Sequence, residues 1–330
     1  MKILHYTLLF FLLLSTAVLY AQQEVNYNLY RYNLNLINPA VTGTSGVFFA
    51  NISLRSQWVG IKDAPETQAL SIGIPNNKHR LGTGISIIND KTFVENQTQV
   101  FTDFSYHLPL GEENDLYLGL KAGGTSISLQ AENLKIYGSS QNDNYLTNQS
   151  SFVPNIGVGV YFKRANFFAS LSIPRLLSTE RFRYNNGQVS RATDRPHFFG
   201  SAGSQFNLSE NWSFLPSIFF THVRATPFNF MINSAFSYQQ LIEFGLLYTK
   251  GGGIGGTVFF NLNSKFQLGY SYITSVVNQM TPFSKGTHEI VLKFRLKDAD
   301  AKVPKETFID DKISNKNNEN QLFNIPRLEK

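Results

Sequence analysis

From residue 46 to residue 296 the chain alternates apolar and polar residues in runs of roughly ten, each followed by a turn. Leu116, Leu118, Leu120 and Ala122 interleave with Tyr117, Gly119, Lys121 and Gly123. Ile156, Val158, Val160 and Phe162 interleave with Gly157, Gly159, Tyr161 and Lys163. Ile290, Leu292, Phe294 and Leu296 interleave with Glu289, Val291, Lys293 and Arg295. Successive side chains of a strand point to opposite faces, so each set has a face of its own. The runs predict about fourteen strands: 46–59, 67–75, 81–89, 94–107, 115–127, 155–164, 166–174, 196–207, 211–221, 227–238, 240–249, 253–262, 265–274 and 287–296. A chain built of such runs predicts an all-β fold, an outer-membrane antiparallel β-barrel.

The connections sort by length. Those at 76–79, 108–114, 164–165, 208–210, 239 and 263–264 are short and even-numbered, whereas the long ones, 128–154, 175–195 and 275–286, are odd-numbered. Membrane barrels have short periplasmic turns and longer outward loops, so this parity predicts an even strand count with both termini periplasmic. Closure is demanded once strands lie in lipid, because every backbone N–H and C=O must find a partner and an open sheet has edges. Glycines fall on the inward face (Gly73, Gly82, Gly84, Gly119, Gly157, Gly159, Gly269), where they relieve crowding; Phe266, Tyr270 and Tyr272 fall on the outward face, as aromatic girdles do.

The flanking segments differ. Lys2, the apolar run Leu8 to Leu14 and Leu19-Tyr20-Ala21 have the order of a secretory signal peptide, which predicts cleavage after Ala21. The run is shorter than the roughly 20 residues of a spanning helix. Residues 22–45 are Asn- and Tyr-rich and irregular, and are expected beneath or inside the barrel as a periplasmic or plug segment. Residues 297–330 form a polar tail, expected in the periplasm; its apolar points, Phe308, Ile309, Leu322, Phe323, Ile325 and Leu328, suit folding on a partner.

Composition narrows the chemistry. With no Cys there are no disulfides, thiolate metal sites or Cys nucleophiles. The net charge of +6 is scattered, without a Lys/Arg-rich run, so no nucleic-acid site is expected. His79, His107, His197, His222 and His288 show no metal-ligand spacing, and the chain lacks G-x-S-x-G and H-E-x-x-H; catalytic, cofactor and metal residues are therefore expected to be none. Thr249 to Gly256 is glycine-rich but is not followed by a phosphate-loop Lys-Ser/Thr, and reads as a hairpin tip. By parity Arg55, Glu95, Asp103, Lys121, Lys163, Glu243, Lys265, Glu289, Lys293 and Arg295 face inward. A polar lumen explains them, and a selectivity ring is the sharper alternative.

One run of residues has an order of its own. Asn38-Pro39-Ala40-Val41-Thr42-Gly43 precedes the first strand, Arg55-Ser56-Gln57-Trp58-Val59-Gly60 ends it, and Ala64-Pro65-Glu66-Thr67 opens the second. Parity places Arg55 and Gln57 together inside, with Glu66 or Asp90 as counter-charges, and Trp58 outside near the interface. The order N-P-A-x-x-G, R-x-Q-W-x-G, P-x-T, followed by Leu81-Gly82-Thr83-Gly84 and by Leu116 to Gly123, resembles the PorP/SprF family of type IX secretion system membrane proteins. The resemblance runs from about residue 24 to 296 and departs in Val25 to Tyr30, which lack the family's Pro, and in Ala40 to Thr42, which lack its aromatic. It implies a non-enzymatic outer-membrane component of the secretion or gliding apparatus. Asn38, Pro39, Gly43, Arg55, Gln57, Trp58, Pro65 and Thr67 are then the candidate functional residues. Implied partners are a secreted adhesin or other substrate at the outer loops, periplasmic machinery proteins, and outer-membrane lipid. The residues alone leave a diffusion channel or a FadL-like conduit for hydrophobic molecules as the alternative, and an outer-membrane hydrolase as a third.

Overall fold

The computed structural model describes residues 27–130, 148–185, 188–224, 226–250, 253–274 and 284–296. The expected signal peptide and the polar tail lie outside the described residues.

The strands are β1 (Phe48–Ser56), β2 (Glu66–Asn76), β3 (Leu81–Thr92), β4 (Glu95–Pro109), β5 (Asn114–Leu129), β6 (Gln149–Arg164), β7 (Phe167–Ile173), β8 (Thr179–Asn185), β9 (Gln188–Asp194), β10 (His197–Ser204), β11 (Phe206–Asn207), β12 (Trp212–Val223), β13 (Asn229–Tyr238), β14 (Ile242–Thr249), β15 (Gly253–Asn261), β16 (Phe266–Thr274) and β17 (Thr287–Leu296). All but β8 and β9 form one antiparallel sheet, in which β1 pairs with both β2 and β17, and β10 pairs with both β7 and β12. β11 continues β10 past Gln205 along the same neighbour. The result is a closed fourteen-strand barrel with no free edge. Each of the fourteen runs read from the sequence contains or overlaps one of its strands. The hairpin β8–β9 stands apart as a small sheet of its own, in a connection read as loop.

Closure joins the first strand to the last. Arg55 pairs with Glu289, Ser53 with Val291 and Asn51 with Lys293 across the β1–β17 seam. The connections at 77–80, 110–113, 165–166, 208–211, 239–241 and 262–265 crowd one end of the barrel. The longer connections at 57–65, 130–148, 174–196 and 275–286 all lie at the other. Lys265 belongs to one of these turns and is exposed, rather than lining the lumen as its parity suggested.

Burial is inverted relative to a water-soluble fold. Leu120, Leu171 and Leu246 are 63%, 60% and 71% exposed, whereas Glu289, Ser271 and Asn51 are 0%, 0% and 1% exposed. An apolar outer surface and a buried polar interior suit a wall with hydrocarbon outside. Among the described residues no helix is long and apolar enough to cross a membrane; the strands make the crossing. In β17, Ile290, Leu292 and Leu296 are exposed, and Glu289 and Val291 are buried. Leu292→Arg is expected to destabilise the barrel by roughly 2–4 kcal/mol, the cost of a cation at mid-bilayer, and Lys293→Leu by much less. Folding titrations in lipid vesicles check the facing; equal losses from the two changes would refute it.

Candidate functional site in the barrel lumen

Residues 27–45 fill the lumen. The helix α1 (Tyr30–Ile37) is followed by a 3-10 turn (Pro39–Gly43), where the sequence suggested irregular chain. Inside a closed wall no strand edge is open to pair with, so this backbone satisfies its hydrogen bonds within itself. Proline sets the break between the two. Asn38, preceding it, is extended (φ −126°, ψ 109°), as steric clash with a following proline ring favours. Pro39 opens the 3-10 turn, where its missing N–H costs nothing, and Asn38 Oδ1 accepts from Ala40 N at 2.9 Å to cap it.

The start of α1 carries no side-chain cap of its own. The acceptor comes from the last strand: Glu289 Oε2 accepts from the backbone N of Asn28 at 2.6 Å and of Leu29 at 3.4 Å, and Oε1 accepts from Asn33 Nδ2 at 2.9 Å. A carboxylate at a helix N-terminus also meets the positive end of its dipole. Asn51 Nδ2 donates to Asn33 Oδ1 at 2.8 Å, and Asn35 donates to Ser71. Tyr32 donates to Glu243 and stacks on Phe259 with centroids 3.8 Å apart. Tyr30 donates to Ser217 Oγ at 2.9 Å and stacks on Phe219. Burial pushes the phenols of Tyr27 and Tyr30 well above the usual tyrosine range, so both stay neutral. The helix is thereby tied to β1, β2, β12, β14, β15 and β17.

The foot of this segment rests on glycines. Asn38 Nδ2 donates to Val160 O at 3.0 Å and Ser170 Oγ at 2.8 Å. A Cβ on Gly119 would fall on the backbone N of Ala40, one on Gly159 on Asn38 Oδ1, and one on Gly82 on Gly43 Cα. Gly82, Gly119 and Gly159 therefore make room for the N-P-A-x-x-G segment, a sharper role than easing curvature. Gly119→Val is expected to unseat the segment, because the atoms it meets are backbone and cannot swing aside. The Arg31–Tyr32 bond should then become cleavable by trypsin in a barrel that is still heat-modifiable. Gly256→Ala, which meets nothing nearer than 3.8 Å, should leave that bond protected. Protection in both variants would refute the glycine seat.

The other candidates lie toward the long-loop end. Arg55 Nη1 donates to Gln57 Oε1 at 2.8 Å, and Thr67 Oγ1 donates to Asp90 Oδ1 at 2.7 Å. Arg55 sits directly across the seam from Glu289 and is paired in register with Thr67. Glu289 and Asp90 both act on it electrostatically, Glu289 the more strongly. Pro65 contributes its carbonyl, which accepts from Gln57 N at 2.9 Å. Trp58 takes a left-handed backbone (φ 52°) in the turn after β1 and is half-buried. So Asn38, Pro39 and Gly43 seat the foot of the lumenal segment, while Arg55 backs the carboxylate that holds its head. Glu289 and Glu243 carried only one sequence signal, their inward parity. Among the described residues no cluster of His, Asp and Glu could hold a metal ion.

The chain matches the family described as type IX secretion system membrane protein PorP/SprF over residues 19–294. No curated protein matches it. Among solved structures it is similar to a Pseudomonas aeruginosa FadL homologue, at 10% identity and TM-score 0.45 over 78% of this chain and 91% of that one. It is also similar to the CymD monoaromatic hydrocarbon channel (10%, TM-score 0.44, 80% of this chain and 97% of that one). A third is the NanC porin (11%, TM-score 0.39, 76% and 100%).

Proposed function

Because this chain belongs to the PorP/SprF family of type IX secretion system membrane proteins, we propose that it is a plugged, non-enzymatic docking barrel for a secreted protein. It resides in the outer membrane. The long loops face outward in this reading and meet an adhesin or other exported partner. The short-turn end and the polar tail face the periplasm and meet the machinery that drives export or gliding. The observation that carries the reading is the lumen filled by residues 27–45 and held by buried hydrogen bonds at both ends. A filled lumen offers no path for free diffusion, which weighs against a diffusion channel or a conduit for hydrophobic molecules. The absence of a nucleophile–base pair in the sequence motifs weighs against a hydrolase.

The test is a deletion strain complemented by wild-type protein or by Arg55→Ala. Loss of the gene should remove one or a few proteins from the cell surface and leave others in place. Arg55→Ala should restore export only in part, since it weakens the support of Glu289. Full export and surface display in the deletion strain would overturn the function. Full rescue by Arg55→Ala would remove only that residue from the mechanism.

A further inference from the structure

We propose that the short-turn end of the lumen holds an anion-binding cavity, which takes a carboxylate or phosphate borne on a small apolar group and arriving from water. The cavity measures about 140 Å³ and lies between the lumenal segment and strands β1, β6, β7 and β17. A water occupies about 30 Å³ in the liquid, so the space holds several waters or one acidic group with a short apolar neighbour.

Its charge is one-sided. Arg31, Lys163, Lys293 and Arg295 all line it, and no carboxylate among the described residues does. Glu243, outside the lining, lies 3.6 Å from Arg31 and already accepts from Tyr32. Lys163 is 8% exposed and makes no hydrogen bond or ion pair among the described residues. Its register neighbour Asp115 is engaged elsewhere, 2.6 Å from His107 Nε2. The Lys163 ammonium therefore meets the cavity without a bound counter-ion, and an anion there would supply one. Two guanidinium groups add planar forks suited to carboxylate or phosphate oxygens.

The remaining wall joins apolar and aromatic side chains (Leu34, Val41, Phe49, Tyr161, Phe168) to the polar Asn35, Thr44 and Ser45. Tyr161 and Phe168 stack with centroids 5.9 Å apart beside the cations. Bare inorganic ions gain nothing from such a wall, whereas an acidic group attached to an aromatic or aliphatic side chain uses both halves. Lys293 and Arg295 are half-buried, so the cavity communicates with water at that end. The lining side chains face the lumen, which denies acyl chains a lateral route from the bilayer.

The proposal does not depend on the secretion reading, and its test measures binding alone. Full-length protein in detergent is titrated calorimetrically with N-acetylphenylalanine, with N-acetylphenylalaninamide and with inorganic phosphate. The acid should bind at least tenfold more tightly than the neutral amide, and more weakly as salt rises. Lys163→Met should weaken acid binding tenfold or more while the barrel stays heat-modifiable; Arg295→Gln gives the same reading if Lys163→Met does not fold. Tighter binding of the acid than of phosphate assigns an organic acid as occupant, and the reverse assigns a free oxyanion. Equal binding of acid and amide, unchanged binding in the folded variant, or no binding of any probe would overturn the site.

Discussion

Deleting Gln23 to Thr44 should turn a closed barrel into a conducting one. In planar bilayers the intact protein should show a baseline current, and the deleted form should show discrete open steps. A fourteen-strand wall lies between eight-strand barrels, filled by their own side chains, and sixteen-strand porins with a water channel. Without residues 27–45 the inward face left behind is polar: Asn51, Ser71, Ser217, Glu243 and Glu289 would meet water instead of the helix. The wall pairs with itself all round, so it should survive the deletion and remain heat-modifiable. Unchanged, near-zero conductance in the deleted form would count against a plug. So would strong conductance in the intact protein.

Glu289→Ala is the single substitution expected to matter most. Its side chain is fully buried and accepts from Asn28 N, Leu29 N and Asn33 Nδ2. Each donor stranded away from water costs about 1–3 kcal/mol. Arg55 also loses the carboxylate across the seam. The loss should appear first as release of the helix head, read as intermittent conductance and trypsin cleavage after Arg31, and then as a lower midpoint in urea. Glu289→Gln keeps an acceptor without the charge and should fall between. Adding Arg55→Ala to Glu289→Ala should cost less than the sum of the two single changes, since the second removes a cation already stripped of its partner. A Glu289→Ala barrel as closed and as stable as wild type would remove this carboxylate from the latch.

The wall was legible in the sequence because its signal is local. Leu116, Leu118 and Leu120 alternate with Tyr117, Gly119 and Lys121 at the period of a strand, and one face of each strand meets lipid. Connection lengths gave the even count for the same reason. The motif residues were legible as an ordered set, and the structure separates them into two jobs: Asn38, Pro39 and Gly43 at the foot of the lumenal segment, and Arg55, Gln57 and Thr67 near its head. Trp58, which parity places outside near the interface, sits in a left-handed turn past the end of β1, where alternation no longer applies.

The sequence by itself determined the barrel, its strand count and the parity of its faces, because a two-residue period and a turn are properties of adjacent residues. Only the tertiary structure decided what the inward face is for. Asn28 meets Glu289 across 261 residues, Tyr32 meets Glu243 across 211, and Asn38 meets Ser170 across 132. The helix Tyr30–Ile37 has neither a side-chain N-cap nor an acidic first turn, and a carboxylate from the last strand accepts from the backbone at its start instead. The glycines opposite it are empty until the backbone of Ala40 and the side chain of Asn38 arrive to fill them. These contacts depend on closing the sheet so that its first and last strands meet, an event that no local window of sequence contains.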